Sequence, residues 1–203
     1  MEQIKRISSG FVAGTAIAVL VSATVWVLAV AIPWKTSQSD TLISNFCQWL
    51  YDSQVGSGIR ESLYFFPILE GTHLLGIALS VGTLCWFDLR LMGLALREEP
   101  VSKVWKQVMP LALSGFAVMF VSGLLLFWAE AATAYHSVHF WIKLALILMA
   151  GVNAAVFELK THQGIAAWDN DARPPGAARM AGLLSLIFWT LVIVTGRTMA
   201  YTF

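Results

Sequence analysis

The sequence predicts an all-α integral membrane protein: five transmembrane helices, with a four-helix cofactor bundle made by spans two to five, plus an amphipathic helix on the periplasmic side. Three observations carry this prediction. First, 58% of the 203 residues are hydrophobic and 12% are charged, with a mean hydropathy of +0.70, which lies outside the range of soluble globular chains. Second, apolar runs long enough to cross about 30 Å of hydrocarbon at about 1.5 Å per residue recur between short charged stretches. Third, the cations fall unevenly on the two sides of those runs. Lys5, Arg6, Arg90, Arg97, Lys103, Lys106, Lys160, Arg173 and Arg179 lie on one side, and Lys35, Arg60, Lys143 and Arg197 on the other. Basic residues concentrate inside, so the N-terminus is cytoplasmic and the C-terminus periplasmic. The chain divides into an N-terminal signal-anchor span (1–34), a periplasmic amphipathic helix and linker (35–62) and the membrane bundle (63–203).

Each element has its own justification. Phe11 to Trp34 is uncharged and follows a short basic start. Ala29-Val30-Ala31 resembles a signal-peptidase site, but the apolar run exceeds the roughly 7 to 15 residues of a signal peptide, so it reads as a span that stays. Leu42, Ile43, Phe46, Cys47, Trp49 and Leu50 recur at helical spacing behind a cap at Ser39 or Asp40, which makes an amphipathic surface helix. Gly56-Ser57-Gly58 is expected to break it. Leu63 to Phe87 is the second span, closed by Asp88-Leu89-Arg90, whose charges would flank the inner headgroups. Val108 to Trp128 is the third, with Pro110 in its first turn and small faces at Ser114-Gly115 and Ser122-Gly123. Glu130 to His139 reads as an outer loop, Phe140 to Phe157 as the fourth span, and residues 161–179 as a turn-rich inner connector. Met180 to Tyr201 is the fifth span. Trp34, Trp49, Trp128 and Trp141 mark the outer boundary, and Trp105 and Trp168 the inner one.

The composition excludes several functions. A net charge of +1 gives nucleic acid no purchase, and Cys47 and Cys85, too far apart across the bilayer to bridge, are free thiols. Cys-x-x-Cys, Walker, Gly-x-Ser-x-Gly and His-Glu-x-x-His motifs are all missing from the sequence, so hydrolase, kinase and zinc-protease chemistry are unsupported.

The chemical signal is the placement of histidines within apolar runs. An ionisable side chain at membrane depth faces protein, water or a cofactor rather than lipid. His73 precedes Asp88 by 15 residues, about 22 Å along a helix, and so lies in the outer third of the membrane. His139 opens the fourth span at the outer edge. One imidazole from each of two facing helices is what a bis-histidine haem b requires. Arg60, Lys143 and Arg197, on the same side, are candidate partners for its propionates, and Gly76, one turn after His73, for leaving the ring room. A second constellation overlaps the first: Glu70, His73, His136 and His139 form an acid and three imidazoles, a plausible copper or zinc set. The bland alternative is that Glu70 and His73, at i and i+3, merely satisfy each other or a neighbouring backbone group and do nothing else.

Taken together, EGTHLLGIALSVGTLCWFDLRLMGLAL, FVSGLLLFWAEA, FWIKLALILMAGVNAAVF, WDNDARPPGAARMAGLLSL and GRTMAY resemble an uncharacterised family of small bacterial inner-membrane proteins over roughly residues 60 to 203. The His-x-x-Gly element at His73 and Gly76 is more distantly similar to the copper-resistance protein D family and to four-helix b-type membrane cytochromes. That resemblance implies His73 as an axial ligand, with Gly76 as its companion. The expected function is electron transfer by an inner-membrane haem b protein with a quinone or periplasmic redox partner. The alternatives are periplasm-facing copper binding or transport, and a homo-oligomeric scaffold held in the lipid bilayer.

Overall fold

The computed structural model describes residues 42–199 and Tyr201, and every regular element among them is helical. The predicted first span lies outside the described residues. Seven α-helices follow in order: α1 (Leu42–Asp52), α2 (Gln54–Arg60), α3 (Phe65–Leu91), α4 (Val101–Ala129), α5 (Ala131–His136), α6 (Val138–Val156) and α7 (Gly176–Met199). Between α6 and α7 a π turn, Phe157–Thr161, and a 3-10 turn, His162–Ala167, extend the chain. Four of these helices are long and apolar enough to cross a membrane: α3, α4, α6 with its continuation to Ala167, and α7. The chain is thus a multi-pass membrane protein. Its large apolar side chains face outward, as Leu75, Val121, Leu148 and Val152 do, because lipid offers them the environment that water denies.

The bundle is two helical hairpins. Helix α3 packs along α4, α6 along α7, and α3 against α7 joins the pairs, whereas α4 and α6 meet chiefly at their ends. At one end Phe127 stacks on Phe140 at 5.2 Å; at the other Trp105 lies 6.2 Å from Phe157. Helices α1, α2 and α5 cover the first end, called the cap end below. The second, the loop end, carries residues 92–100 and 157–175.

The cap differs from its expected form in two ways. The helix does not break at Gly56-Ser57-Gly58; it breaks at Ser53, whose hydroxyl accepts the Gly56 N–H at 3.1 Å and so caps α2. Gly56 permits this corner, since a Cβ there would stand 2.5 Å from the Leu50 carbonyl oxygen. Nor is the stretch after Glu130 a loop. It folds as α5, against whose buried Ala131 the Cys47 and Leu50 side chains of α1 pack. Burial pushes the Cys47 thiol up from its ordinary value.

At the loop end, α4 begins at Val101 and not near Val108, because residues far ahead in the chain cap it. The Asp169 carbonyl accepts the Val101 N–H at 3.0 Å, and its carboxylate accepts the Ser102 N–H and hydroxyl at 2.7 Å each. Pro110 therefore lies inside the helix rather than in its first turn. Helix α3 ends on Gly93, at φ +68, with the Leu94 N–H bonded back to the Leu89 carbonyl at 2.9 Å.

Candidate functional site

His73 lies eight residues into α3, about 12 Å from its first residue. Its surroundings follow from how closely α3 and α4 approach. A Cβ on Gly76 would sit 2.8 Å from the Met119 nitrogen, and one on Gly115 would sit 2.6 Å from the Ser80 nitrogen. The two backbones therefore touch, as small residues allow in membranes. The room expected beside Gly76 for a flat cofactor is taken by α4 itself; Gly76 is a helix-crossing residue.

That crossing brings α4 within reach of the imidazole. His73 Nδ1 donates to the Met119 carbonyl at 2.9 Å and lies 3.1 Å from the Ser122 hydroxyl, which in turn donates to the Val118 carbonyl at 2.6 Å. A carbonyl only accepts, so this bond requires the proton on Nδ1, and the neutral ring keeps its lone pair on Nε2. Gly123 makes space for the ring edge: a Cβ there would stand 3.0 Å from His73 Cε1. His73 thus meets a backbone carbonyl, one of the two partners the bland alternative allowed, and not Glu70, which lies near enough to bias it only through its charge.

Lys143 acts on His73 electrostatically as well. It projects from α6 one turn beyond His139 and lies across Gly196 of α7, where a Cβ would meet its Nζ at 3.5 Å and its Cδ and Cε at 3.7 Å. Among the described residues no carboxylate forms a salt bridge with it. His139 is buried at the start of α6, whereas His136, the last residue of α5, is exposed. Two other cations assigned to the same site are engaged elsewhere. Arg60 donates to the carbonyls of Tyr51 at 3.1 Å and Ala129 at 2.8 Å and stacks 3.7 Å over the Tyr51 ring, which staples α2 to the end of α4. Arg197 is exposed, 5.2 Å from the Tyr201 ring. Among the described residues no group of three or more His, Cys, Asp or Glu side chains is placed to hold a metal ion, so Glu70, His73, His136 and His139 do not assemble into one.

A second polar centre, at the loop end, escaped the sequence reading. Asp88 and Arg90 do not flank headgroups; both are buried, at 4% and 0% exposure. Two residues apart on a helix they point about 200° apart, so they cannot share a face, and this much the spacing could have revealed. Arg90 donates to the carbonyls of Glu99 at 2.8 Å, Asp171 at 3.1 Å and Asp169 at 3.4 Å, which ties both loops to α3. Asp88 turns instead to Ser185 of α7. His162, at the same end, is partly buried: it lies 4.7 Å from the Trp105 ring and 3.3 Å from Glu158.

No curated protein and no solved structure matches the chain, so the distant likeness to the copper-resistance protein D family and to b-type membrane cytochromes gains no support. One family model matches residues 53–202, from the Ser53 cap through the whole helical bundle. The chain belongs to this family, DUF6644, a family of unknown function.

Proposed function

We propose that the protein is a b-type haem protein of the bacterial inner membrane that takes part in electron transfer near the periplasmic face, with the cap end periplasmic and His73 an axial ligand. The observation that carries this reading is the hydrogen bond from His73 Nδ1 to the Met119 carbonyl. Iron-ligating histidines commonly hold the second ring nitrogen in this way, which fixes the tautomer, orients the ring and leaves Nε2 as a basic donor. Lys143 adds support, since an ammonium inside the bundle without a carboxylate partner suits an acidic group such as a propionate. His139 is the proposed second ligand in preference to His136, because it is buried and held in a long helix, and rigid elements position ligands better than exposed ends do. When bound, haem would supply one-electron chemistry; the chain would supply ligation, orientation and a low-dielectric surround.

The purified protein should be red, with an intense Soret band and a sharp α-band on reduction. His73→Ala should lose the chromophore and His162→Ala should keep it. A colourless, iron-free protein after expression with ample haem rejects the proposal. His139→Met should raise the reduction potential, as axial methionine does in cytochromes, and His136→Met should leave it unchanged. The reverse result would move the second ligand to His136.

A further inference from the structure

Asp88 is used by nothing described so far. It sits three residues before the end of α3, 4% exposed, with the Ser185 hydroxyl on one carboxyl oxygen and no partner on the other, Oδ2. Its backbone is gripped as well: a Cβ on Gly182 would stand 2.8 Å from the Asp88 carbonyl oxygen, so α7 closes over this turn of α3 without a gap.

On α7, Ser185 reaches the carboxyl, and in the adjoining apolar cluster Val101, Val104 and Trp105 of α4 pack beside Phe87 and Leu91, the residues one before and three after Asp88. On α3 itself, Cys85 is near enough to sense the Asp88 charge, and Arg90, the one cation close in sequence, is turned onto the loop carbonyls. Among the described residues no cation forms a salt bridge with it. An ionised carboxylate that is neither paired nor fully hydrogen-bonded is far costlier in such a place than the neutral acid.

We propose that Asp88 is a proton-binding site inside the membrane, exchanging its proton through the loop end of the bundle. The site is separate from His73, which lies 15 residues, or about 22 Å, back along the same helix. Among the described residues no group able to hold a metal ion includes Asp88, and Asp88 with Ser185 offers too few ligands for calcium, which takes about six or more, so the geometry favours a proton.

The test uses the full chain in liposomes and dicyclohexylcarbodiimide, an apolar reagent that reaches buried acids. The acid O–H adds across a carbodiimide C=N bond, and the O-acylurea so formed rearranges to a stable N-acylurea that mass spectrometry places on a peptide. The adduct is expected on the peptide carrying Asp88, declining about tenfold for each unit of pH above the site's midpoint, unaffected by sodium and absent from Asp88→Asn. No adduct at Asp88 at any pH, an adduct that ignores pH, or protection by sodium would each overturn the proposal. Infrared spectra of the unmodified protein give a check that needs no variant. A protonated-carboxyl C=O band that shifts in heavy water is expected, and a spectrum without one rejects the site. His73→Ala should leave the labelling unchanged, so the haem reading and this one fail separately.

Discussion

Single residues decide how the loop end holds together. Asp169 caps α4 from outside the spans, and the Ser102 backbone N–H holds its carboxyl below the ordinary aspartate range; burial opposes this, and the Ser102 hydroxyl and the charge of Arg90 reinforce it. A group whose folded value is depressed gives stability that is present above the unfolded value of about 3.9 and is lost as pH falls through the lower, folded one. The wild-type protein in detergent should therefore lose thermal stability on acidification below about pH 4, and Asp169→Asn should flatten that part of the profile. Equal acid slopes for the two proteins would show that the cap does not titrate as described. Gly93 is constrained twice, by φ +68 and by the Ala172 carbonyl oxygen 2.9 Å from where a Cβ would stand. Leu96, at φ 50, is the one non-glycine residue among those described with positive φ, and it sits in the same turn.

At the scale of elements, the α3–α4 crossing positions the candidate ligand. Gly76 and Gly115 let the backbones touch, and only at that separation does the Met119 carbonyl reach His73 Nδ1. Gly115→Leu should force the helices apart, costing roughly 1 to 3 kcal/mol as overpacked interiors do, and break that hydrogen bond. The expected readout is loss of haem from a protein that still inserts and migrates as a monodisperse species. Full haem retention in Gly115→Leu would mean that the crossing does not set the histidine. Lys143 shows the same logic on the second hairpin, where Gly196 lets a long cationic stem lie inside the bundle rather than reach for lipid phosphates.

For the whole molecule, the cap is a separate layer clipped to a lipid-facing bundle. It is held by α1 against α5, by Trp128 Nε1 donating to Ser53 Oγ at 2.9 Å, and by Arg60 on the Tyr51 and Ala129 carbonyls. The Arg60 side chain is 21% exposed, so its two bonds together are worth about 2 kcal/mol after allowance for solvent. Arg60→Ala should raise the rate of proteolysis within α1 and α2 roughly thirtyfold, while the melting of the four long helices stays near wild type. An unchanged cleavage rate would locate the cap's attachment elsewhere.

The sequence by itself determined what depends on composition and local periodicity. Apolar runs and their charged ends specified the four spans now described, because membrane insertion reads average hydropathy over some twenty residues and is indifferent to tertiary detail. It also singled out His73, since a titratable group inside such a run is costly wherever the helix turns out to pack. Tertiary structure decided the rest. The neighbours of His73 are a backbone carbonyl and a serine on the next helix, set by two glycines 39 residues apart that no local pattern links. Helix α4 starts where it does because Asp169, 67 residues beyond Ser102, supplies its cap. Asp88 and Arg90 look like one boundary pair in the chain, and at the loop end of the fold they take separate partners. Helical geometry already turned them apart; which partner each would find, a serine of α7 or a ring of loop carbonyls, depended on contacts between segments that sequence separation hides.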